Sequence, residues 1–397
     1  MKDLKIFGGI LMILGTSIGA GMLALPISTY SEHYFMTLGL LTGSWFIMTF
    51  CALAILEVNL WLPEDSNLVS MANVTFGRSG QLIAWITYLF LLYSLLCAYI
   101  SGVSDIVHAL VLAIHIPISE ALSAVLSVII LGSIIYQGIY SVDLVNRGLM
   151  TAKLFILLIL ISSIMPHIQA RNLFVGGYDF HTNILMVMMT SFGYAIIIPS
   201  LRSYFKSDVK KLRMVIIIGS CIPLIIYALW ITVIQGFIPR YGSNGLEAIA
   251  TSSHTTSLLI ATVSSHMRDL WLKQCANLFI SICAITSFLG VSICLTDFIA
   301  DGLKIKKIGK NNLVIYTLAF LPPLLITLFV PGLFIKALSY AGIFCVLLLM
   351  LLPLLMLYNG RYIKKIAHGY KIYGGKTTVI SSIILTVILL LMAIFLY

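Results

Sequence analysis

The chain has 397 residues, of which 60% are hydrophobic and 10% are charged, and its mean hydropathy is +1.07. This composition excludes an ordinary soluble domain and a disordered chain, and it indicates a membrane protein. The formal net charge of +10 does not indicate nucleic-acid binding, because the basic residues cluster in short loops between apolar segments, where anionic lipid headgroups lie.

Apolar stretches long enough to cross the roughly 30 Å hydrocarbon core of a bilayer recur along the whole chain. We therefore predict an all-α membrane protein, a single transmembrane domain over 1–397 with eleven transmembrane helices. The predicted spans are 6–30, 34–61, 80–107, 119–137, 146–165, 182–204, 212–237, 271–298, 312–331, 335–358 and 377–396. Segment 248–267 is rich in Ser and Thr, so we predict an interfacial or external helix there.

The distribution of basic residues predicts the orientation of these helices. With the amino terminus inside, most of the 24 Lys and Arg residues fall in cytoplasmic loops, as the positive-inside rule requires. An odd number of spans then leaves the carboxyl terminus on the outer side. The apolar run after Lys5 is too long for a signal peptide and lacks a small-residue cleavage site, so it is predicted to remain as helix 1.

Two of the predicted spans contain sequences that disfavour a continuous helix. Residues 15–21 read Gly-Thr-Ser-Ile-Gly-Ala-Gly with Pro26 just beyond, and residues 190–195 read Thr-Ser-Phe-Gly-Tyr-Ala with Pro199 just beyond. Glycines and small hydroxyl residues lower helix propensity. Two interrupted helices at matching places in two halves of a chain indicate a transporter with its site at the interruptions. Close helix packing through small residues is the alternative for either motif alone.

Such interruptions expose backbone groups that suit a zwitterion. The N–H groups of residues 19–21 would begin the outer half of helix 1 and favour a carboxylate, whereas carbonyls near Ser17 and residues 190–192 would accept from an ammonium. This combination favours an α-amino acid over a sugar or a metal ion. The predicted substrate-binding residues are Thr16, Ser17, Gly19, Ala20, Gly21, Thr190, Ser191, Phe192, Gly193 and Tyr194. Tyr88, Tyr93 and Tyr99 of the third span are interpreted as core.

Other chemistries find little support in the sequence. The seven cysteines lie within predicted spans without a Cys-x-x-Cys pair, and the eight histidines include no His-Glu-x-x-His, so we expect no disulfide framework, metal site or cofactor. The spans also lack paired catalytic carboxylates and a repeated pore-lining filter, which disfavours an enzyme and a channel.

Three segments together carry a family resemblance. Residues 15–26, 191–201 and 286–298 resemble the corresponding motifs of bacterial aromatic amino acid permeases, and among these the tyrosine-specific ones. These carriers belong to the hydroxy and aromatic amino acid permeases of the amino acid-polyamine-organocation superfamily. The resemblance extends over nearly the whole chain.

The resemblance implies a fold and a function. The fold is a LeuT-like five-plus-five inverted repeat, 6–166 against 181–358, with broken helices 1 and 6 and an additional helix 11 at 377–396. The implied function is import of an aromatic amino acid, tyrosine above others, by symport across the bacterial inner membrane, with a periplasmic carboxyl terminus. Alternatives left open are a sodium-coupled carrier and a carrier of serine or threonine.

Lys153 is the one basic residue in the interior of a predicted span, away from the span ends. An ammonium at this depth is a functional candidate by default, although a lysine can also snorkel to the cytoplasmic surface. The resemblance implies that Lys153 takes part in proton coupling, with the carbonyls of Gly15 and Ile18 and the hydroxyls of Thr286 and Ser287 as its partners. These same four residues offer oxygen ligands for sodium, which stays the alternative coupling ion.

Two acids border the predicted spans, Glu57 on helix 2 and Asp297 on helix 8. A proton relay or an inner gate is possible at either position. We interpret both as members of structural ion pairs.

Overall fold

The computed structural model describes residues 2–64, 66–136, 139–178, 181–243, 245–267, 269–305, 307, 310–330 and 332–395. Within these ranges, the side chains of residues 2–4, 20, 139–147 and 310 fall outside the description.

The described residues fold into helices joined by short loops. The α-helices are α1 Lys2–Ser17, α2 Ala20–Ser28, α3 Tyr34–Leu60, α4 Leu68–Ala113, α5 Glu120–Tyr136, α6 Ile139–Ile164, α7 Ala170–Leu173, α8 Thr182–Ser191, α9 Ile198–Phe205, α10 Val209–Phe237, α11 Leu246–Thr251, α12 Thr255–His266, α13 Leu270–Leu303, α14 Lys310–Phe329, α15 Leu333–Val346, α16 Leu352–Tyr358 and α17 Lys376–Phe395. A 3₁₀ segment, Gly193–Ile197, joins α8 to α9, and a π-helical segment, Leu347–Leu351, joins α15 to α16.

Most of these helices are apolar enough to cross a membrane. Within the described ranges, nine helical segments are long and apolar enough to span the bilayer, counting Thr182–Phe205 (α8 to α9) and Leu333–Ile363 (α15, α16 and the π-helical turns joined to them) as one each, and the bent pair of α1 and α2 makes ten if it is one span. The remaining apolar helix, α5, has 17 residues. An all-helical, multi-pass membrane protein is thus confirmed, whereas the count of eleven spans stays a prediction.

The largest difference from the predicted boundaries is in the third span. Helix α4 begins at Leu68 instead of residue 80, because Asn67 and Ser70 form reciprocal capping hydrogen bonds with each other's backbone N–H. Gly77, with a φ of +71°, then interrupts the regular helix. Hydropathy alone did not indicate this polar first part, which lies before the apolar run.

Segment 248–267 forms parts of two short helices, α11 and α12. Helix α12 has 12 residues, too short to cross a bilayer, and it packs against α4 and α13. Its first residues, Thr255 and Thr256, are buried in this packing. The predicted separate helix is present, and it is docked onto the bundle.

The core is arranged around the two interrupted helices. Helix α1 packs on α10, α2 on α8, α13 on α4 and α6, and α15 on α4 and α8. The largest fully buried side chains include Trp230, Tyr194, Tyr227, Lys153 and Phe192. Several of the largest fully buried side chains thus lie in or beside the segments in which regular helix is lost.

Candidate functional site

Helix 1 is interrupted where its glycines lie. Helix α1 ends at Ser17, Ile18 and Gly19 are not helical, and α2 begins at Ala20. The backbone of Gly19 is not helical, with φ −146° and ψ −148°. The axes of the two halves differ by 54°. The predicted interruption of helix 1 is present, and it leaves the carbonyls of α1 and the N–H groups of α2 without partners inside their helices.

The second interruption takes a different form. Helix α8 ends at Ser191, Phe192 is a turn, and the chain continues as 3₁₀ helix through Gly193–Ile197 before α9 begins. Pro199 lies in the first turn of α9, where its missing N–H costs no hydrogen bond. The α-helical pattern is therefore lost without a fully extended stretch, because the tighter 3₁₀ bonds take over.

The interrupted segments touch each other and α13. A Cβ atom on Gly21 would lie 2.9 Å from the Ser191 hydroxyl oxygen, and a Cβ atom on Gly19 would lie 2.5 Å from the Ser287 hydroxyl oxygen. Real Cβ atoms do not approach other atoms so closely. Glycine is required at both positions because neighbouring side chains pack directly against the backbone.

A cavity of about 410 Å³ adjoins both interruptions. This volume lies in the range of small-molecule sites, roughly 300–1,000 Å³. Its polar lining comes from the interruptions and from Thr286 and Ser287 of α13. Its apolar lining includes Leu91, Leu92, Leu95, Ile196, Ile197, Val291 and Leu349. The cavity thus combines polar groups at the interruptions with a mainly hydrophobic lining from the surrounding elements.

The two halves of helix 1 differ in exposure beside the cavity. Gly15 and Thr16, just before the interruption, are exposed and line it. Met22, Leu23 and Leu25 of α2 are at most 1% exposed. From this difference we infer that the cavity is open along α1 and closed along α2.

Seven of the ten predicted substrate-binding residues line this cavity. They are Thr16, Ser17, Gly19, Gly21, Thr190, Ser191 and Gly193. The side chain of an eighth, Ala20, lies outside the described residues, and its backbone begins α2.

The remaining two, Phe192 and Tyr194, do not line the cavity in this structure. Both rings are fully buried. Phe192 packs edge-to-face on Tyr227 with ring centroids 5.3 Å apart, and the Tyr194 hydroxyl donates to Thr49 Oγ1 at 2.9 Å. Their position next to Gly193 in the sequence suggested a pocket wall, but the 3₁₀ turn directs both rings into the surrounding helices. Both rings therefore pack against the helices around the site without lining the cavity.

The hydroxyl groups at the interruptions differ in their hydrogen bonds. Thr16 donates to Ile13 O, Thr190 to Met186 O and Ser191 to Val187 O, each at 2.9 Å. These bonds close on the preceding helical turn. Ser17 Oγ is buried and has no partner among the described residues. Because an unsatisfied buried hydroxyl is costly, Ser17 is the hydroxyl best suited to a ligand.

Lys153 lies in the interior beside the first interruption. Its side chain is 1% exposed, and its Nζ donates to Ile18 O at 2.6 Å and to Thr286 Oγ1 at 3.2 Å. The ammonium therefore does not snorkel to the surface. It links α6 to the non-helical residue Ile18 and to α13.

The other two predicted partners of Lys153 lie nearby with different contacts. Gly15 lines the cavity one turn before Ile18, and the Ser287 hydroxyl donates to Cys283 O at 2.8 Å. The hydrogen bonds that the structure describes for Lys153 run to Ile18 and Thr286.

Three tyrosines that the sequence did not assign to the site, Tyr88, Tyr99 and Tyr227, contribute to it or to its surroundings. Tyr88 and Tyr99 line the cavity, whereas Tyr93 donates to Leu318 O on α14. Tyr88 and Tyr99 are eleven residues apart, close to three helical turns, so they share a face that Tyr93 does not. That spacing was the sequence signal that could have identified Tyr88 and Tyr99 as cavity residues. The third tyrosine, Tyr227, has no comparable signal in its sequence surroundings.

The two acids bordering the spans form ion pairs, as predicted. Glu57 is fully buried and accepts from Arg361 Nε at 2.7 Å and Nη2 at 2.5 Å, and also from the Ile372 N–H. Asp297 pairs with Lys307 at 2.5 Å near the surface. Glu57 ties α3 to the end of the α15–α16 span, which is a structural role.

Comparison with known proteins shows the family to which the chain belongs. The model of the tryptophan/tyrosine permease family matches residues 2–394. Tyrosine-specific transport systems 1 and 2 of Haemophilus influenzae are 33% and 31% identical to this chain, covering 97% and 98% of it and 95% of each relative. The tryptophan-specific transport protein of the same organism is 30% identical, over 94% of this chain and 92% of its own. The chain therefore belongs to the tryptophan/tyrosine permease family.

Proposed function

We propose that this protein is a secondary active symporter that imports an aromatic amino acid, with tyrosine as the preferred substrate, across the bacterial inner membrane. In this proposal the fold is the LeuT-like five-plus-five inverted repeat with a cytoplasmic amino terminus and an eleventh helix. The coupling ion is the proton, and Lys153 is the residue that carries it.

One observation carries the proposal. The carboxyl ends of α1 and α8, at Ser17 and Ser191, and the amino end of α2, at Gly19, converge on the same cavity. Helix carboxyl ends hold partial negative charge and unsatisfied carbonyls, and a helix amino end holds the opposite charge and unsatisfied N–H groups. An α-amino acid carries the complementary pair of groups, an ammonium and a carboxylate.

The rest of the cavity favours a large apolar side chain on that amino acid. The cavity lining contributed by α4, the 3₁₀ segment and α13 includes several Leu and Ile residues, Val291 and Tyr88. An aromatic ring buries well against such a surface. The names of the relatives, tyrosine-specific and tryptophan-specific, support the same class of substrate.

The direction in which the cavity opens fits one state of an alternating-access cycle. If the amino terminus is cytoplasmic, the structure corresponds to an inward-open state, with α2 closing the periplasmic side. Transport would require helices 1, 2, 6 and 7, which correspond to α1 to α3 and α8 to α10, to rock against the remaining helices so that the interruptions face the periplasm.

The position of Lys153 supports proton coupling over sodium coupling. Its ammonium donates hydrogen bonds to the Ile18 carbonyl and the Thr286 hydroxyl, two oxygens that would otherwise be available as ligands for sodium. A neutral Lys153 would weaken both contacts, and it would thereby loosen the link between α1, α6 and α13. Proton binding and release would in this way change the energy of moving the interrupted helix.

The test is uptake of labelled tyrosine into proteoliposomes with an imposed proton or sodium gradient. We expect accumulation with the proton gradient alone, and competition by tryptophan and phenylalanine but not by serine. Accumulation that requires a sodium gradient would refute proton coupling and support the sodium-coupled alternative. Competition by serine without competition by tryptophan would refute the aromatic assignment.

Three variants test Lys153. Lys153→Gln removes the charge and Lys153→Arg keeps a charge that does not titrate, so neither should support accumulation against a gradient. Lys273→Gln, near the start of α13 and away from the cavity, is the matched control and should behave as the parent protein. Undiminished proton-driven accumulation in Lys153→Gln would exclude this role for the residue.

A further inference from the structure

The hydroxyl of Tyr227 lies between the two helix interruptions. Tyr227 is on α10 and is fully buried. Its hydroxyl donates to Ser17 O at 2.5 Å and to Ser191 O at 3.0 Å. Ser17 is the last residue of α1, and Ser191 is the last residue of α8. One side chain from a third helix thus contacts the carboxyl ends of both interrupted helices.

This contact has two hydrogen-bond acceptors, the Ser17 and Ser191 carbonyls, but only one donor, the Tyr227 hydroxyl. A tyrosine hydroxyl has a single proton, so it satisfies one carbonyl fully or shares itself between two. Both carbonyls are helix carboxyl-terminal groups with partial negative charge, and both residues line the cavity. A second donor is therefore favoured beside Tyr227. A primary ammonium, with three N–H donors, is suited to supply it.

The ring of Tyr227 is fixed by its packing. It lies edge-to-face against Phe192, the first residue after α8, with centroids 5.3 Å apart. Phe192 is fully buried, so the ring has little room to move. The spacing between the Ser17 and Ser191 carbonyls is consequently set by where this hydroxyl is held.

We propose that Tyr227 is a positioning residue that holds the carboxyl ends of α1 and α8 at the spacing required by the ammonium group of the substrate. This inference rests on the proposed function and adds the residue that selects for a primary amine. Without the hydroxyl, the two negative helix ends lose their common donor and separate or rotate. The ammonium then meets a site with poorer geometry, while the contacts of the carboxylate and the aromatic ring remain.

The experiment compares two ligands that differ only in the amino group. Binding of L-tyrosine and of 3-(4-hydroxyphenyl)propionate is measured by calorimetry for the parent protein and for Tyr227→Phe. We expect Tyr227→Phe to weaken tyrosine binding by about tenfold, as loss of one buried hydrogen bond predicts, and to leave the deamino ligand unchanged. An equal loss for both ligands, or no loss for tyrosine, would overturn the proposal.

The control is Tyr34→Phe. The Tyr34 hydroxyl also bonds to α10, at Thr232 Oγ1 2.8 Å away, but it lies outside the cavity. Tyr34→Phe should therefore leave the ratio of the two affinities unchanged. If it lowers that ratio as Tyr227→Phe does, the effect belongs to the packing of α10 and the proposal is wrong.

A second variant tests the proposal if Tyr227→Phe does not fold. Incorporation of 4-aminophenylalanine at position 227 restores an N–H donor at the same point of the ring, so the preference for tyrosine over the deamino ligand should persist. Loss of that preference in a folded protein would contradict the proposal. A parent protein that binds neither ligand would instead refute the proposed function itself.

Discussion

Gly19 offers a sharp test of how the site is built, because a side chain at this position would meet one identified group, the Ser287 hydroxyl. A Cβ atom at this position would lie 2.5 Å from Ser287 Oγ and 3.7 Å from Ser287 Cβ. The second distance is an ordinary van der Waals contact, so the hydroxyl oxygen alone causes the clash. The φ of Gly19 is negative, so we take the expected cost from the contact with Ser287.

The expected penalty for Gly19→Ala follows from the ways in which Ser287 can respond. If the hydroxyl rotates away, it gives up its 2.8 Å hydrogen bond to Cys283 O, at about 1 kcal/mol. If it cannot rotate, α13 and the interruption must separate, and overpacking of this kind costs up to about 3 kcal/mol. We therefore expect Gly19→Ala to disfavour this arrangement by about 1–3 kcal/mol, roughly 5- to 150-fold.

The assay is a double-mutant cycle with Ser287→Ala, read by thermal unfolding of the purified protein and by tyrosine binding. In the Ser287→Ala background, Gly19→Ala should have little further effect, because the clashing oxygen is absent. Gly43→Ala adds the same methyl group to α3 in open space and should not reduce stability. An undiminished Gly19→Ala penalty in the Ser287→Ala background, or the absence of any penalty, would refute the explanation.

Three further predictions follow from single contacts. Ser17→Ala removes a buried hydroxyl without a described partner, so thermal stability should be retained while tyrosine affinity falls by about two- to tenfold; equal affinity would exclude Ser17 as a ligand contact. Cys294 lines the cavity and is exposed, so an impermeant maleimide should label it in inside-out vesicles and tyrosine should slow the reaction, with Cys294→Ala as the control; equal labelling in right-side-out vesicles would contradict the inward-open assignment. Glu57→Gln leaves the Arg361 charge buried and should lower stability by about 3–5 kcal/mol, seen as a lower unfolding midpoint that Arg361→Met partly restores; an unchanged midpoint would show that the pair is dispensable.

The sequence was sufficient for features that depend on local composition. Long apolar runs predict membrane helices because the bilayer requires every backbone group to be satisfied within the helix. The interruptions at residues 15–21 and 190–199 were equally predictable, since clustered glycines and a following proline weaken a helix wherever it packs. The burial of Lys153 followed from its place inside an apolar run, although snorkelling could be excluded only by its contacts with Ile18 and Thr286.

Only the tertiary structure decided which side chains face the cavity. Phe192 and Tyr194 flank Gly193 in the sequence, but a 3₁₀ turn advances the chain by 120° per residue, and the packing of Tyr227 and Thr49 turns both rings away. Tyr227 itself is 36 residues from Ser191 and 210 from Ser17 along the chain, and neither separation carries a local signal. Local propensity determines where a helix breaks, because it acts within a few residues. The groups that meet at the break are determined by how distant helices pack, and that depends on the whole fold.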